Sequence, residues 1–202
     1  MNLICPNDKT QLIHTSESIS CPQCKSKFGS DKNIFSFIDN ADSFYEGAYL
    51  NRISYTKSSN NLLNKFILWL INSGYLGRVS KSFNKGDTLL ELGCAAGVSY
   101  FGQQFNMIGC DLSYASLKQA SNIYNQCLYA DPLVGLPLPD NSIDGVISSY
   151  FWEHLDLKQK NLCLEEIHRV LKPGGKVVFL YDVETQNPLI NYFKKRNFDL
   201  YK

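Results

Sequence analysis

The sequence predicts an α/β fold built on a doubly wound, mostly parallel sheet, and three observations carry that expectation. From residue 85 onward, short apolar runs alternate with helical stretches. The first run, "TLLEL" at 88–92, turns directly into a loop of small residues, "GCAAG" at 93–97. An acidic residue, Asp111, ends the second run, roughly twenty residues beyond that loop.

Strands are expected over 88–92, 106–111 ("NMIGCD"), 126–130 ("QCLYA"), 144–150 ("DGVISSY") and 176–181 ("KVVFLY"). Helices are expected near 97–104, 114–124 and 157–171, which makes the strands parallel through right-handed crossovers and puts a ligand crevice at their carboxyl ends. "LKPGG" at 171–175 reads as a helix stop, with Gly174 and Gly175 suited to a left-handed cap. Residues 85–202 form this domain. Residues 41–84 read as a helical lead-in, with Phe44, Tyr49, Leu63, Phe66 and Leu70 at helical spacing and breaks at Ser73, Gly74 and Gly77. Residues 1–40 read as a small separate β module with two cysteine turns, "CPND" at 5–8 and "CPQC" at 21–24.

A chain of 202 residues with 44% hydrophobic content can bury a sizeable core. Its formal net charge of +1 argues against a nucleic-acid partner without excluding one. The start, "MNLICPNDKT", lacks the basic and apolar regions of a secretory leader. The most apolar stretch, 62–71, contains Asn64 and Lys65 and is about half a membrane span, so no membrane crossing is expected. Seven cysteines, an odd number scattered along the chain, do not form a disulfide framework, and a cytoplasmic location is expected.

A dinucleotide loop of pattern GxGxxG would need glycines at 93, 95 and 98, where the chain has Gly93, Ala95 and Val98, with another glycine at 97. That register disfavours a nicotinamide oxidoreductase. Gly93 and Gly97 let the backbone approach a ligand closely, or else only tighten a turn. Asp111 can accept hydrogen bonds from ribose hydroxyls, since Ser113 is able to cap the next helix in its place. Asp131, in "YADP", can face an adenine amine or simply open the turn at Pro132. Glu153 and His154 lie at the carboxyl end of the fourth strand and are candidates for a general base, or for a helix cap. His168 reads as surface.

The segments "LLELGCAAG", "GCDLS", "ADPLVGLPLPDNSIDGVISSYFWEHL" and "EEIHRVLKPGGKVVFL" resemble, in order and spacing, the motifs of class I S-adenosylmethionine-dependent methyltransferases with a Rossmann-like sheet, of the type grouped with quinone-biosynthesis methylases. The resemblance spans about residues 86–182. It implies that Glu91 and the loop Gly93, Cys94, Ala95 and Gly97 surround the methionine part of the cofactor. It further implies that Asp111 takes the ribose, that Leu112 packs on adenine, and that Asp131 with the backbone near Ala130 faces the adenine amine. Tyr150 would line the floor under the sulfonium. Ala95 replaces the middle glycine of the family's GxGxG, and alanine is expected to manage there without a positive φ. Members of the family usually add two more strands after the fifth, so the sheet is expected to lack them and to leave a hydrophobic edge open to a partner or a second copy. The N-terminal segment resembles a zinc ribbon that has Cys5, Cys21 and Cys24 as ligands and Asp8 in the place of the fourth cysteine; Asp8 or His14 could complete the shell. The implied function is methyl transfer to an O, N or C nucleophile of a small molecule. The alternatives are a non-catalytic cofactor-binding or adaptor protein, and an rRNA or protein methyltransferase that recognises its substrate through the ribbon.

Overall fold

The structure, a computed structural model, describes residues 2–14, 18–39 and 75–180. Its strands are β1 (Ile13–His14), β2 (Ile19–Ser20), β3 (Lys27–Asp31), β4 (Ile34–Ser36), β5 (Thr88–Leu92), β6 (Asn106–Asp111), β7 (Gln126–Tyr129), β8 (Ile143–Ser149) and β9 (Leu171–Leu180). Between them run helices α1 (Ser99–Gln104), α2 (Tyr114–Ala120) and α3 (Leu157–Val170), with a 3-10 turn at Trp152–His154. The order across the sheet is β1-β2-β3-β4-β7-β6-β5-β8-β9, and β4 through β9 are mutually parallel.

Alternation along each strand sends neighbouring residues to opposite faces. Leu90, Ile108, Leu128 and Val146 join one core with Cys163, Ile167 and Val170 of α3, while Leu89, Met107, Cys127 and Ile147 join the other with Phe101 of α1 and Leu117 of α2. Both faces are thus covered, which is why the strands read as nearly unbroken apolar runs. Ser113 caps α2 by accepting from the Ser116 amide, as the sequence suggests, and Asp156 with Gln159 forms a capping box on α3.

Two features differ from the sequence reading. Residues 1–40 do not stand apart: β4 adds to the outer edge of β7 in parallel register, and Leu3, Cys5, Leu12, Ile19 and Cys21 enter the same core as Leu90 and Ile167. Asn33 locks this join, its side-chain amide donating to the carbonyls of Ser121 and Tyr124 at 3.0 and 2.8 Å. The "LKPGG" glycines do not cap α3, whose final amide, on Leu171, donates to the Ile167 carbonyl. Leu171 already pairs with Ile143 and Lys176 with Gly145, so residues 172–175 bulge out of β9, with Gly174 at φ +80°. Of the helical lead-in, residues 75–82 are helical, and residues 41–74, with Ser73 and Gly74, lie outside the described residues, as does everything past Leu180 where further strands were at issue. Among the described residues β1 and β9 are the two edges of the sheet, Val177 of β9 is 39% exposed, and no helix is long and apolar enough to cross a membrane.

Candidate cofactor crevice and metal cluster

The parallel register sets the ends of β5, β6, β7 and β8 side by side, pairing Leu92 with Cys110 and Ser148, and Asp111 with Tyr129. The loop after β5 is folded back on β6. The amides of Gly93 and Cys94 both donate to the Cys110 carbonyl at 2.9 and 3.2 Å, and the Gly97 amide closes a turn onto the Cys94 carbonyl at 2.8 Å. Asp111 braces this loop and the start of α2 together: Oδ2 accepts from the Ala95 amide and Oδ1 from the Ser113 amide, each at 2.8 Å.

Gly93, Ala95 and Gly97 all have positive φ, at +66°, +45° and +75°. For the two glycines this is cheap, and a side chain at Gly93 would meet Phe151 at 2.9 Å. Gly97 lies against Tyr124 and Ala120 of the α2 region, at 3.2 and 3.4 Å for an added Cβ, so a bulky residue there would disturb packing as well as any ligand. Ala95 corrects the sequence reading: its β-carbon is forced into the left-handed region, which costs about 1–2 kcal/mol for an L-residue. Ala95→Gly is expected to raise stability by about 0.5–1 kcal/mol in urea denaturation, after the extra freedom of glycine in the unfolded chain is subtracted. An unchanged or lower midpoint would contradict strain at this position.

Glu91 is buried beneath the loop, 1% exposed, and accepts a short hydrogen bond from the Tyr124 hydroxyl. That hydroxyl also accepts from the Val98 amide at 2.8 Å, tying Glu91 to the start of α1. Burial pushes the Glu91 carboxyl up to about 8; the Tyr124 hydrogen bond works against the rise and the nearby Asp111 charge adds to it. Because the folded chain then holds a proton that the unfolded chain releases near 4.5, this contribution to stability is complete below that pH and is lost as pH rises through about 8. Melting curves of the free protein are expected to fall across that window and those of Glu91→Gln to stay flatter; parallel pH profiles would overturn the assignment. Tyr75, a further buried group near Glu91, has its phenol pushed upward by burial and by the Glu91 charge.

The remaining expected residues are distributed as follows. Leu112 is half-buried at the end of β6, and Ala130 is buried with its carbonyl accepting from the Cys110 thiol at 3.4 Å. Asp131 does open a turn, Oδ1 accepting from the Leu133 amide at 2.9 Å. Tyr150 follows the last residue of β8 at φ +54°, and its amide donates to the Leu180 carbonyl at 2.8 Å. The Cys94 side chain is buried against Gly109, where an added Cβ would lie 2.7 Å from its sulfur. Glu153 is half-buried and His154 exposed in the 3-10 turn beside Trp152, which stacks on Phe179 at 4.7 Å. His168 is exposed.

Two partners escaped the sequence reading. Tyr124 carried no signal beyond being an aromatic in the polar stretch "NIYNQ". Arg169, in "EEIHRV", bonds the Leu136 and Leu138 carbonyls at 2.9 and 2.8 Å and pairs with Glu166 and Asp140, each at 2.7 Å.

Away from the crevice, the ligand atoms of Cys5, Asp8, Cys21 and Cys24 all lie within 4.8 Å of one another. Two like turns build this cluster. The Lys9 amide donates to the Cys5 carbonyl at 2.9 Å and the Lys25 amide to the Cys21 carbonyl at 3.1 Å, with both lysines near φ +60°. The Cys24 amide also points at the Cys21 sulfur, at 3.4 Å. The Thr10 amide holds the Asp8 carboxyl well below the usual carboxylate range, and burial pushes the Cys5 thiol up to about 12. Three thiols and a carboxylate within this reach match the donor types of a four-coordinate zinc site. His14 sits in β1, edge-on to Phe35, outside the cluster.

Residues 90–179 match the methyltransferase domain family. The chain is similar to demethylmenaquinone methyltransferase of Symbiobacterium thermophilum, 28% identical over 55% of this chain and 48% of that protein. It is also similar to demethylmenaquinone methyltransferase of Staphylococcus carnosus, 30% identical over 66% of this chain and 58% of that one. The chain therefore spans about half the length of these relatives. Among solved structures, the protein of a DhpI-SAM-HEP complex shares the fold with a TM-score of 0.54 at 16% identity, covering 75% of this chain and 68% of that one. Residues 90–179 thus carry a match to a methyltransferase domain, and the glycine-bearing loop on a mostly parallel sheet gives them the Rossmann-like fold of such domains.

Proposed function

We propose that the chain transfers a methyl group from S-adenosylmethionine to an O, N or C nucleophile of a small molecule. The observation that carries this reading is the convergence of the Gly93–Gly97 loop, Asp111 and Asp131 at the carboxyl ends of three adjacent parallel strands. This end of the sheet presents the carboxylates of Asp111 and Asp131, which suits a positively charged cofactor without phosphate. The relatives' names, built on demethylmenaquinone, support a small-molecule acceptor.

The bound cofactor supplies an electrophilic methyl group on a sulfonium and a neutral thioether as leaving group. The chain's task is then positioning, worth on the order of 7–11 kcal/mol when two reactants are held in line. In this reading the backbone of the 93–97 loop seats the methionine part, Asp111 accepts from the ribose, Leu112 covers adenine, and Asp131 with Ala130 faces the adenine amine. Tyr150 floors the methyl group, and Glu153 or His154 takes the acceptor's proton where one must leave. We assign the Cys5, Asp8, Cys21 and Cys24 cluster to a structural zinc ion, with no part in the transfer itself. Calorimetric titration with S-adenosylmethionine and with NADH tests the cofactor, and transfer of labelled methyl to quinol and phenol acceptors tests the reaction. Binding of S-adenosylmethionine but not NADH is expected; the reverse would sink the reading.

A further inference from the structure

The two sites assigned above share one loop. The residues that follow Asp131 are held at their start by that carboxylate side: Oδ1 accepts from the Leu133 amide, and the main-chain carbonyl from the amides of Val134 and Gly135 at 3.1 and 3.2 Å. At their far end they lie on the first cysteine turn. The Ile4 amide donates to the Pro137 carbonyl at 3.1 Å, and an added Cβ at Gly135 would sit 3.2 Å from Lys9 Nζ and 3.5 Å from the Pro6 carbonyl. Lys9 Nζ also reaches Glu166 Oε1 at 3.5 Å, while Glu166 Oε2 accepts from the Leu136 amide at 2.6 Å. Leu3, Cys5 and Cys21 share a core with Leu136 and Leu138. The cysteine turn is therefore the back wall of the loop whose front residue is Asp131.

We propose that a metal ion held by Cys5, Asp8, Cys21 and Cys24 positions Asp131 through this shared loop, so that metal occupancy raises affinity for the adenine end of the cofactor. The inference rests on the cofactor reading given above. Its physical basis is that thiols bond weakly to one another, so a turn whose inner contacts are Cys5 to Cys24 at 3.6 Å and Cys21 to Asp8 at 3.3 Å gains its rigidity from a cation. A rigid wall fixes the loop, and a fixed loop removes the cost of ordering Asp131 on binding. Coupling between two binding sites is reciprocal, so the cofactor must raise metal affinity by the same factor.

The test uses the full chain, loaded with zinc or stripped by a chelator, with bound metal counted by elemental analysis. Calorimetry then measures affinity for S-adenosylhomocysteine and for its inosyl analogue, which lacks the adenine amine. Stripping is expected to weaken S-adenosylhomocysteine about tenfold and to erase the preference over the inosyl analogue. Zinc affinity, read by competition with a chromophoric chelator, should rise by an equal factor when S-adenosylhomocysteine is present. Because a stripped chain can lose its fold, Gly135→Val provides a second arm. It should keep one zinc and its circular dichroism while losing the adenine preference, since a β-branched residue is strained at φ +151° and shifts the loop between Asp131 and the first cysteine turn. Equal affinities with and without zinc, or equal losses for both nucleosides, would overturn the coupling. A chain that takes up no zinc but binds S-adenosylhomocysteine overturns the coupling alone, whereas zinc uptake with no cofactor binding overturns the cofactor reading with it.

Discussion

Replacing Asp111 by alanine is expected to lower affinity for S-adenosylmethionine about a hundredfold, in the proposed reading, and to cost the free protein about 2 kcal/mol of stability, since charged hydrogen bonds are each worth roughly 1.5–3 kcal/mol. Two losses combine in this variant. The amides of Ala95 and Ser113, both held at 2.8 Å, lose their acceptor, and the loop they brace loses its fixed shape. Any ribose hydroxyl bonded to the same carboxylate loses its partner too. Asp111→Asn separates the effects, because its side-chain oxygen can still accept from one amide while its negative charge is gone. Urea denaturation and calorimetry read the two quantities side by side, and wild-type affinity in Asp111→Ala would exclude this carboxylate from the cofactor site.

Arg169→Met is expected to lower stability by about 3 kcal/mol, the scale for removing one partner of a largely buried ion pair. Arg169 is the hub between α3 and the loop before β8, and its removal strands Glu166 and the Leu136 and Leu138 carbonyls at once. The effect has a pH signature. Burial alone would raise the Glu166 carboxyl, but the Arg169 hydrogen bond and the Leu136 amide outweigh it and hold the group below its ordinary value of 4.5. Stability from this carboxylate is therefore present above about 4.5 and is lost as pH falls through the depressed value. Arg169→Met should flatten that acid limb, whereas a variant with the wild-type slope would show that Glu166 does not depend on this arginine.

What the sequence disclosed followed from the range of the forces involved. β5, β6, β7 and β8 are buried on both faces, so each is a short apolar run visible without knowledge of its neighbours. The Cys5, Asp8, Cys21 and Cys24 cluster was legible because ligand chemistry restricts residue type and spacing. The union of β4 with β7 was not, since "NIFSF" has no mark that names a parallel partner on the other side of the lead-in. Nor was the strain at Ala95: alanine is ordinary in a turn, and only the folded-back path to the Cys110 carbonyl and Asp111 forces its φ positive. Arg169 stayed hidden because, apart from Glu166 on its own helix, its partners come from a loop about thirty positions earlier.

The docking of β4 on β7 also bears on how the chain is made. Asn33 and the Tyr124 carbonyl it bonds are 91 positions apart, so the N-terminal turns leave the ribosome long before their partner strand exists. The cysteine turns close within a few residues and can order at once, but β4 must wait with its outer backbone groups unpaired until residues 126–129 arrive. For that interval the nascent chain carries an open, sticky strand edge. A slower path from residue 36 to residue 126 is expected to lengthen the exposure of that edge to wrong partners.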